Sequence, residues 1–156
     1  MKKKTVFLPG LLMSAEAASA AFEVIKSAMS KDESRNRAKI VIATVKGDIH
    51  DIGKNIVKLI LENYGFAVID LGKDVPPAVI AEQAKLHSAD FVGLSALMTT
   101  TLPSMEETVN LLRKECPNCR VIVGGAVLTA EYAEKIGADK YAADAMDAVR
   151  YLESFE

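Results

Sequence analysis

Residues 48–53, Asp-Ile-His-Asp-Ile-Gly, concentrate the side chains most able to do chemistry into one short stretch. One of only two histidines in 156 residues stands there between two carboxylates, with Gly47 and Gly53 on either side. A histidine that ligates a metal needs its second ring nitrogen held, typically by a carboxylate, which fixes the tautomer and raises ligand basicity. Asp48 is near enough to His50 to do this across a turn. Taken singly, the residues are ordinary. Asp48 or Asp51 suits a helix N-cap, either glycine suits a tight turn, and His50 alone reads as a loop residue. The combination points to one histidine ligand with one carboxylate behind it. A single histidine does not hold free zinc, so the metal has to arrive inside a cofactor. Gly53 would permit close approach of such a group, and Gly124-Gly125 would open a slot where side chains otherwise block it.

The elements that must position these residues follow from the apolar pattern. The β-branched run "AKIVIATV" (38–45) reads as a parallel strand covered on both faces. Further strands are expected at 66–72, 90–97 and 120–126, with a short fifth at 138–143. Helical periodicity predicts helices over 52–65, 76–88, 102–116, 129–137 and 145–155. An Ala-rich helix over 14–29, capped by Ser14, precedes a polar linker at 30–37. Alternating strands and helices imply a parallel α/β sheet of five strands with right-handed crossovers. The expected architecture is flavodoxin-like (Rossmann-like), with strand order 2-1-3-4-5 and an N-terminal helical segment.

In such a sheet, ligands bind outside the carboxyl ends of the strands, where the strand order reverses. Strand one ends in "KGDIHDIG", strand three in "GLSALMTTT" and strand four in Gly124-Gly125-Ala126. These strands are neighbours in the expected order, so three signals converge on one edge. Cys116 and Cys119, in "CPNC", precede strand four and fall at the opposite edge, away from the helix N-terminus a reactive thiolate needs. They read as an incidental pair, and His87 reads as a surface residue at that same far end. The formal net charge of −2 argues against a nucleic-acid surface, and the basic run Lys2-Lys3-Lys4 reads as a solvated terminus. No apolar stretch approaches the roughly 18 residues of a membrane span. With no signal-peptide pattern, a cytoplasmic location is expected.

The three elements together resemble a known signature. Asp48-Ile-His50-Asp-Ile-Gly53, then Ser95-Ala-Leu97, then Gly124-Gly125, occur in the order and at the spacing of the cobalamin-binding domain of cobalamin-dependent methionine synthase and related corrinoid methyltransferase proteins. The resemblance covers residues 38 to about 154. It implies that His50 replaces the dimethylbenzimidazole as lower ligand of the cobalt, the base-off, His-on form. It also implies that the displaced nucleotide tail threads a slot lined by Ser95, Leu97 and the two glycines. A hydroxyl completes the Asp48–His50 relay in this family; serine is usual there and Thr101 is the corresponding residue. Gly47, Asp51, Ile52, Thr99 and Ala126 join the implied cofactor-binding set.

"VIATVKGDIHDIGKNIV" looks most like methionine synthase, and "FLPGLLMSAEAASAAFEVIK" resembles the end of the helical cap over the corrinoid there. Residues 1–37 are therefore expected to be a cap remnant with its linker, and 38–156 the cobalamin-binding domain. The implied function is methyl transfer by way of the cobalt, from a donor such as methyltetrahydrofolate to a thiolate such as homocysteine. The substrate modules and a reductive activation partner would lie outside this chain, read as an excised fragment beginning at Met1. Alternatives are a corrinoid protein of another methyltransferase system, the cobalamin domain of a mutase, and a non-enzymatic corrinoid sensor or carrier. A receiver domain of the same fold would need a phosphorylatable aspartate where Ser95 stands.

Overall fold

The computed structural model describes residues 37–155, together with Met13. The chain divides into two units, Met1–Arg35 and Asn36–Glu156. The helix expected over 14–29 and nearly all of the linker expected over 30–37 lie outside the described residues. Five strands, β1 (Lys39–Thr44), β2 (Ala67–Asp70), β3 (Phe91–Ser95), β4 (Arg120–Gly124) and β5 (Lys140–Tyr141), pair in parallel in the order 2-1-3-4-5. Between and after them run α1 (Ile52–Asn63), α2 (Pro77–Leu86), α3 (Leu102–Glu115), α4 (Ala130–Lys135) and α5 (Ala145–Glu153), with a 3-10 turn at Thr99–Thr101.

The period-two alternation of each strand divides the core in two. Val41, Ala43 and Val45 face one side with Val92, Leu94, Val121 and Val123, packed against Ile80, Met105 and Leu112 of α2 and α3 and Ala133 of α4. Ile40 and Ile42 face the other with Phe91 and Ile122, against Leu61 of α1 and Val149 and Leu152 of α5. Burying one such aliphatic side chain fully is worth about 1.5–3 kcal/mol, so both faces hold the sheet. Within the described residues the expected strands and helices are present, each one to several residues shorter than the apolar pattern suggests. α2 stops at Leu86 because Ser88 takes a left-handed φ of 49°, and β5 keeps only two ladder residues. Local chemistry sets several helix starts. Thr129 accepts from the Tyr132 amide at 3.2 Å, Asp144 accepts from the Asp147 amide at 2.7 Å, and prolines occupy the first turns of α2 and α3.

Candidate functional site

The site begins where β1 leaves the sheet. Gly47 takes a φ of +86°, a conformation that favours glycine, and the Asp48 amide closes the turn on the Val45 carbonyl at 3.1 Å. The β2–α2 connection clasps this turn from outside. Asp74 accepts from the Gly47 amide at 2.7 Å, and its own amide donates to the Asp48 carbonyl at 3.0 Å. The Asp48 side chain is thereby turned inward and is fully enclosed.

That carboxylate gathers donors from two loops. Oδ1 accepts from the His50 amide at 2.9 Å and meets His50 Nδ1 at 2.8 Å. Oδ2 accepts from the Leu97 amide at 2.6 Å and the Met98 amide at 3.3 Å, with Thr101 Oγ1 at 3.2 Å. Burial works against the charge, but the amides of Leu97 and His50, the His50 ring and the Met98 amide outweigh it and hold the carboxyl at about 2. Asp48 is therefore an acceptor at neutral pH, which places the shared proton on His50 Nδ1. In the neutral ring that tautomer keeps the Nε2 lone pair free, the form that ligates a metal. The His50 side chain is 46% exposed. Flanking it or the same carboxylate are the exposed apolar residues Ile49, Ile52 and Leu97. Apolar side chains around an exposed imidazole suit a broad, largely apolar ligand face.

The glycines of the motif have different reasons. A Cβ added at Gly53 would meet no protein atom within 4 Å, and the residue stands in the first turn of α1 without a positive φ. The protein itself does not require glycine there, so the space it leaves fits a group approaching from outside. Gly125 is the reverse case. Its φ is +136°, and a Cβ would lie 1.9 Å from the Ala96 carbonyl oxygen. Gly125 thus has a reason within the fold beside the expected slot: it lets β4 leave the sheet against the backbone that follows β3. Gly124 does lie in a cross-sheet row with Ser95 and Thr44. That row faces the α1 and α5 side, and the Thr44 hydroxyl is buried there without a hydrogen-bond partner. An unpaired buried hydroxyl beside a half-buried Ser95 and a glycine is a polar row with hydrogen-bonding capacity to spare, compatible with a nucleotide tail. The residues present thus fit cobalamin at both the cobalt and the tail.

The structure joins Asp48, His50, Thr101 and the amides of Leu97 and Met98 into one network. Leu97 lies beyond the end of β3 and is exposed. Asp51 occupies the α1 N-cap position without a side-chain cap; Thr99 and Ala126 are exposed on the loops after β3 and β4. Sequence reasoning missed Thr44, Asp74, and Lys54, whose almost wholly buried ammonium lies 2.6 Å from Asp70 Oδ1 and 2.8 Å from Asn55 Oδ1. The one available signal was an interruption: a hydroxyl inside "KIVIAT" and a lysine on the apolar side of α1. At the opposite edge, Cys116 and Cys119 line a cavity of about 390 Å³ with Lys85, Ser88 and Asp90. Burial pushes the Cys119 thiol up to about 12 and raises that of Cys116. No group of three or more potential metal-binding side chains occurs among the described residues. No helix among them is long and apolar enough to cross a membrane.

The B12-binding domain model matches residues 38–150. The chain belongs to the B12-binding domain family. Its cofactor is cobalamin, and the corrinoid resemblance stands. The dimethylamine corrinoid protein 1 of Methanosarcina acetivorans is 45% identical over 147 residues, covering 92% of this chain and 69% of that one. A cobalamin-binding protein from Desulfitobacterium hafniense is 39% identical with a TM-score of 0.79, covering 96% of this chain and 71% of that one. The methanol:cobalamin methyltransferase complex MtaBC of Methanosarcina barkeri gives 28% identity and a TM-score of 0.77, over 96% of this chain and 58% of that one. These relatives favour the alternative of another methyltransferase system over methionine synthase. A receiver domain of Mycobacterium tuberculosis NarL, 18% identical with a TM-score of 0.57 over 77% of this chain and 96% of that one, shares the fold alone.

Proposed function

We propose that this B12-binding chain is the corrinoid-carrying module of a methylamine methyltransferase system, with His50 as lower ligand of the cobalt. One observation carries the ligand assignment: Asp48 holds His50 Nδ1 at 2.8 Å while the His50 side chain as a whole is 46% exposed. Bound cobalamin would supply a cobalt centre able to accept and release a methyl group. The chain's own residues orient and tune. Asp48 fixes the His50 tautomer and keeps the ligand basic. Ile49, Ile52 and Leu97 would exclude water around His50 once cobalamin is bound, and Gly53 would leave room for it. The Thr101 hydroxyl has one proton and two claimants, the Met98 carbonyl at 2.8 Å and Asp48 Oδ2 at 3.2 Å, so it tunes Asp48 less than the amides do. Methylamine as donor class rests on the dimethylamine corrinoid protein and on the chain's coverage of it.

Electron paramagnetic resonance of the cobalt(II) form, with histidine labelled with nitrogen-15, tests the ligand. Coupling that changes with the label is expected, and coupling indifferent to it would refute His50 as ligand. For the donor, reduced cobalamin-loaded protein is mixed with mono-, di- or trimethylamine and a methyltransferase specific for each, and followed by its visible spectrum. A response to methyltetrahydrofolate and its methyltransferase, with none to any methylamine, would restore the methionine synthase reading.

A further inference from the structure

Two side-chain oxygens among the described residues are buried without a partner, and one of them, Thr44 Oγ1, lies on the face where the cofactor tail would pass. Thr44 is the last residue of β1 and is fully enclosed. Its backbone is satisfied, the amide donating to the Gly72 carbonyl at 2.9 Å and the carbonyl accepting from the Val75 amide at 3.1 Å. Only the hydroxyl is orphaned, and such a group is destabilising wherever it stays unpaired. Valine has nearly the same shape and carries no such penalty, so hydroxyl chemistry is the feature that needs a reason.

The surroundings say what would satisfy it. Thr44, Ser95 and Gly124 stand side by side across β1, β3 and β4. One row deeper, Ile42, Gly93 and Ile122 are aligned in the same way. The space above Gly93 is already taken, since a Cβ there would meet Ile42 Cγ2 at 3.2 Å and Ile40 Cδ1 at 3.5 Å. The polar row therefore lies on an apolar floor. The cover is thin: of the twelve residues of α1, only Lys54 and Leu61 are buried. Lys54 is engaged with Asp70, which leaves its charge already compensated. An apolar floor, two hydroxyls and a compensated cation suit a neutral polar atom better than a phosphate.

We infer that Thr44 recognises the nucleotide end of cobalamin, its hydroxyl hydrogen-bonding an uncharged atom of the base or ribose between the sheet and α1. This rests on the reading that the chain binds cobalamin with its nucleotide displaced from cobalt. The test compares wild type, Thr44→Val and Thr44→Ser. It uses cobalamin and cobinamide, a corrinoid without the nucleotide, and reads dissociation constants together with the urea midpoint of the cobalamin-free protein.

Thr44→Val is expected to raise the urea midpoint while weakening cobalamin binding about tenfold. Cobinamide binding should be unchanged, and Thr44→Ser should retain most of the cobalamin affinity. Opposite signs for stability and affinity in one variant are what a merely structural threonine does not give. Equal cobalamin dissociation constants for wild type and Thr44→Val would overturn this inference alone. Equal losses for cobalamin and cobinamide would also overturn it, by placing the effect on the corrin ring or the fold. A wild type that binds neither corrinoid overturns the cobalamin reading and this inference with it.

Discussion

Both edges of the sheet enclose an ionisable side chain, and the outcomes are opposite. At the carboxyl edge the Asp48 carboxyl is held at about 2, while at the amino edge the Cys119 thiol is pushed up to about 12. Desolvation opposes charge in both places. What differs is the supply of donors. Asp48 receives three amides and an imidazole. Cys119 Sγ points at the Arg120 carbonyl, 3.9 Å away, an acceptor that suits only the neutral thiol. Burial alone neutralises a group, whereas burial within a ring of donors fixes its charge. One edge thus holds a charged carboxylate against an imidazole, and the other keeps its thiols neutral.

The largest test concerns how tightly the carboxyl edge is built. Gly125→Val would drive a side chain into the Ala96 carbonyl at a φ that L residues rarely adopt. We expect a loss upwards of about 4 kcal/mol, or no folded protein by circular dichroism. A folded variant with an unchanged urea midpoint would remove the backbone argument for that glycine.

Asp48→Asn comes next. The folded carboxyl titrates near 2 against an ordinary 3.8, so its charge stabilises the fold fully above about pH 4. That contribution, about 2 kcal/mol, is lost as the pH falls through about 2. The variant should be less stable than wild type by at least this amount at neutral pH, and the gap should narrow in acid. A gap independent of pH in urea titrations would mean that Asp48 acts by shape and not by charge.

The amino edge should behave differently. Cys119→Ser replaces a buried thiol with a hydroxyl that wants stronger bonds, at a cost of about 1–2 kcal/mol. Cobalamin affinity should not change, and a fall in affinity would break the separation of the two edges. Gly53→Ala is smaller and of opposite sign. Alanine near the start of α1 should stabilise the cobalamin-free protein by up to about 1 kcal/mol while weakening cobalamin binding. Unaltered binding there would show that the ring does not approach Gly53.

The sequence made the sheet legible because parallel strands buried on two faces must be continuous β-branched runs, as "KIVIAT" and "RVIVG" are. The Asp48–His50 pair was legible because a turn brings positions two apart into contact. The rest of the network was not, for a physical reason. Leu97 and Met98 contribute amides, which every residue but proline has, and Asp74 reaches the turn from 27 residues away. Thr44 was hidden because a β-branched residue in a strand looks like packing. Gly125 was legible as small, but its cause, contact with Ala96, is visible only once β3 and β4 are side by side.

The smallest expected effect sharpens the comparison most, because it separates the carboxylate's charge from one of its neighbours. Thr101→Val removes a buried hydroxyl and keeps the volume. The Met98 carbonyl, which accepts that hydroxyl at 2.8 Å, still accepts from the Thr101 amide at 3.1 Å. Asp48 keeps its three amides and the His50 ring. No buried group is left wholly unpaired, so the cost should be about 0.5–1 kcal/mol, well below that of Asp48→Asn. One neighbour fewer should raise the Asp48 carboxyl slightly, moving the acid limb of the stability curve to higher pH in the same direction as its loss but by less. Urea midpoints measured from neutral pH to pH 2 check both points. A Thr101→Val variant as unstable as Asp48→Asn, with an equally flattened acid limb, would mean that the hydroxyl and not the ring of amides keeps Asp48 charged.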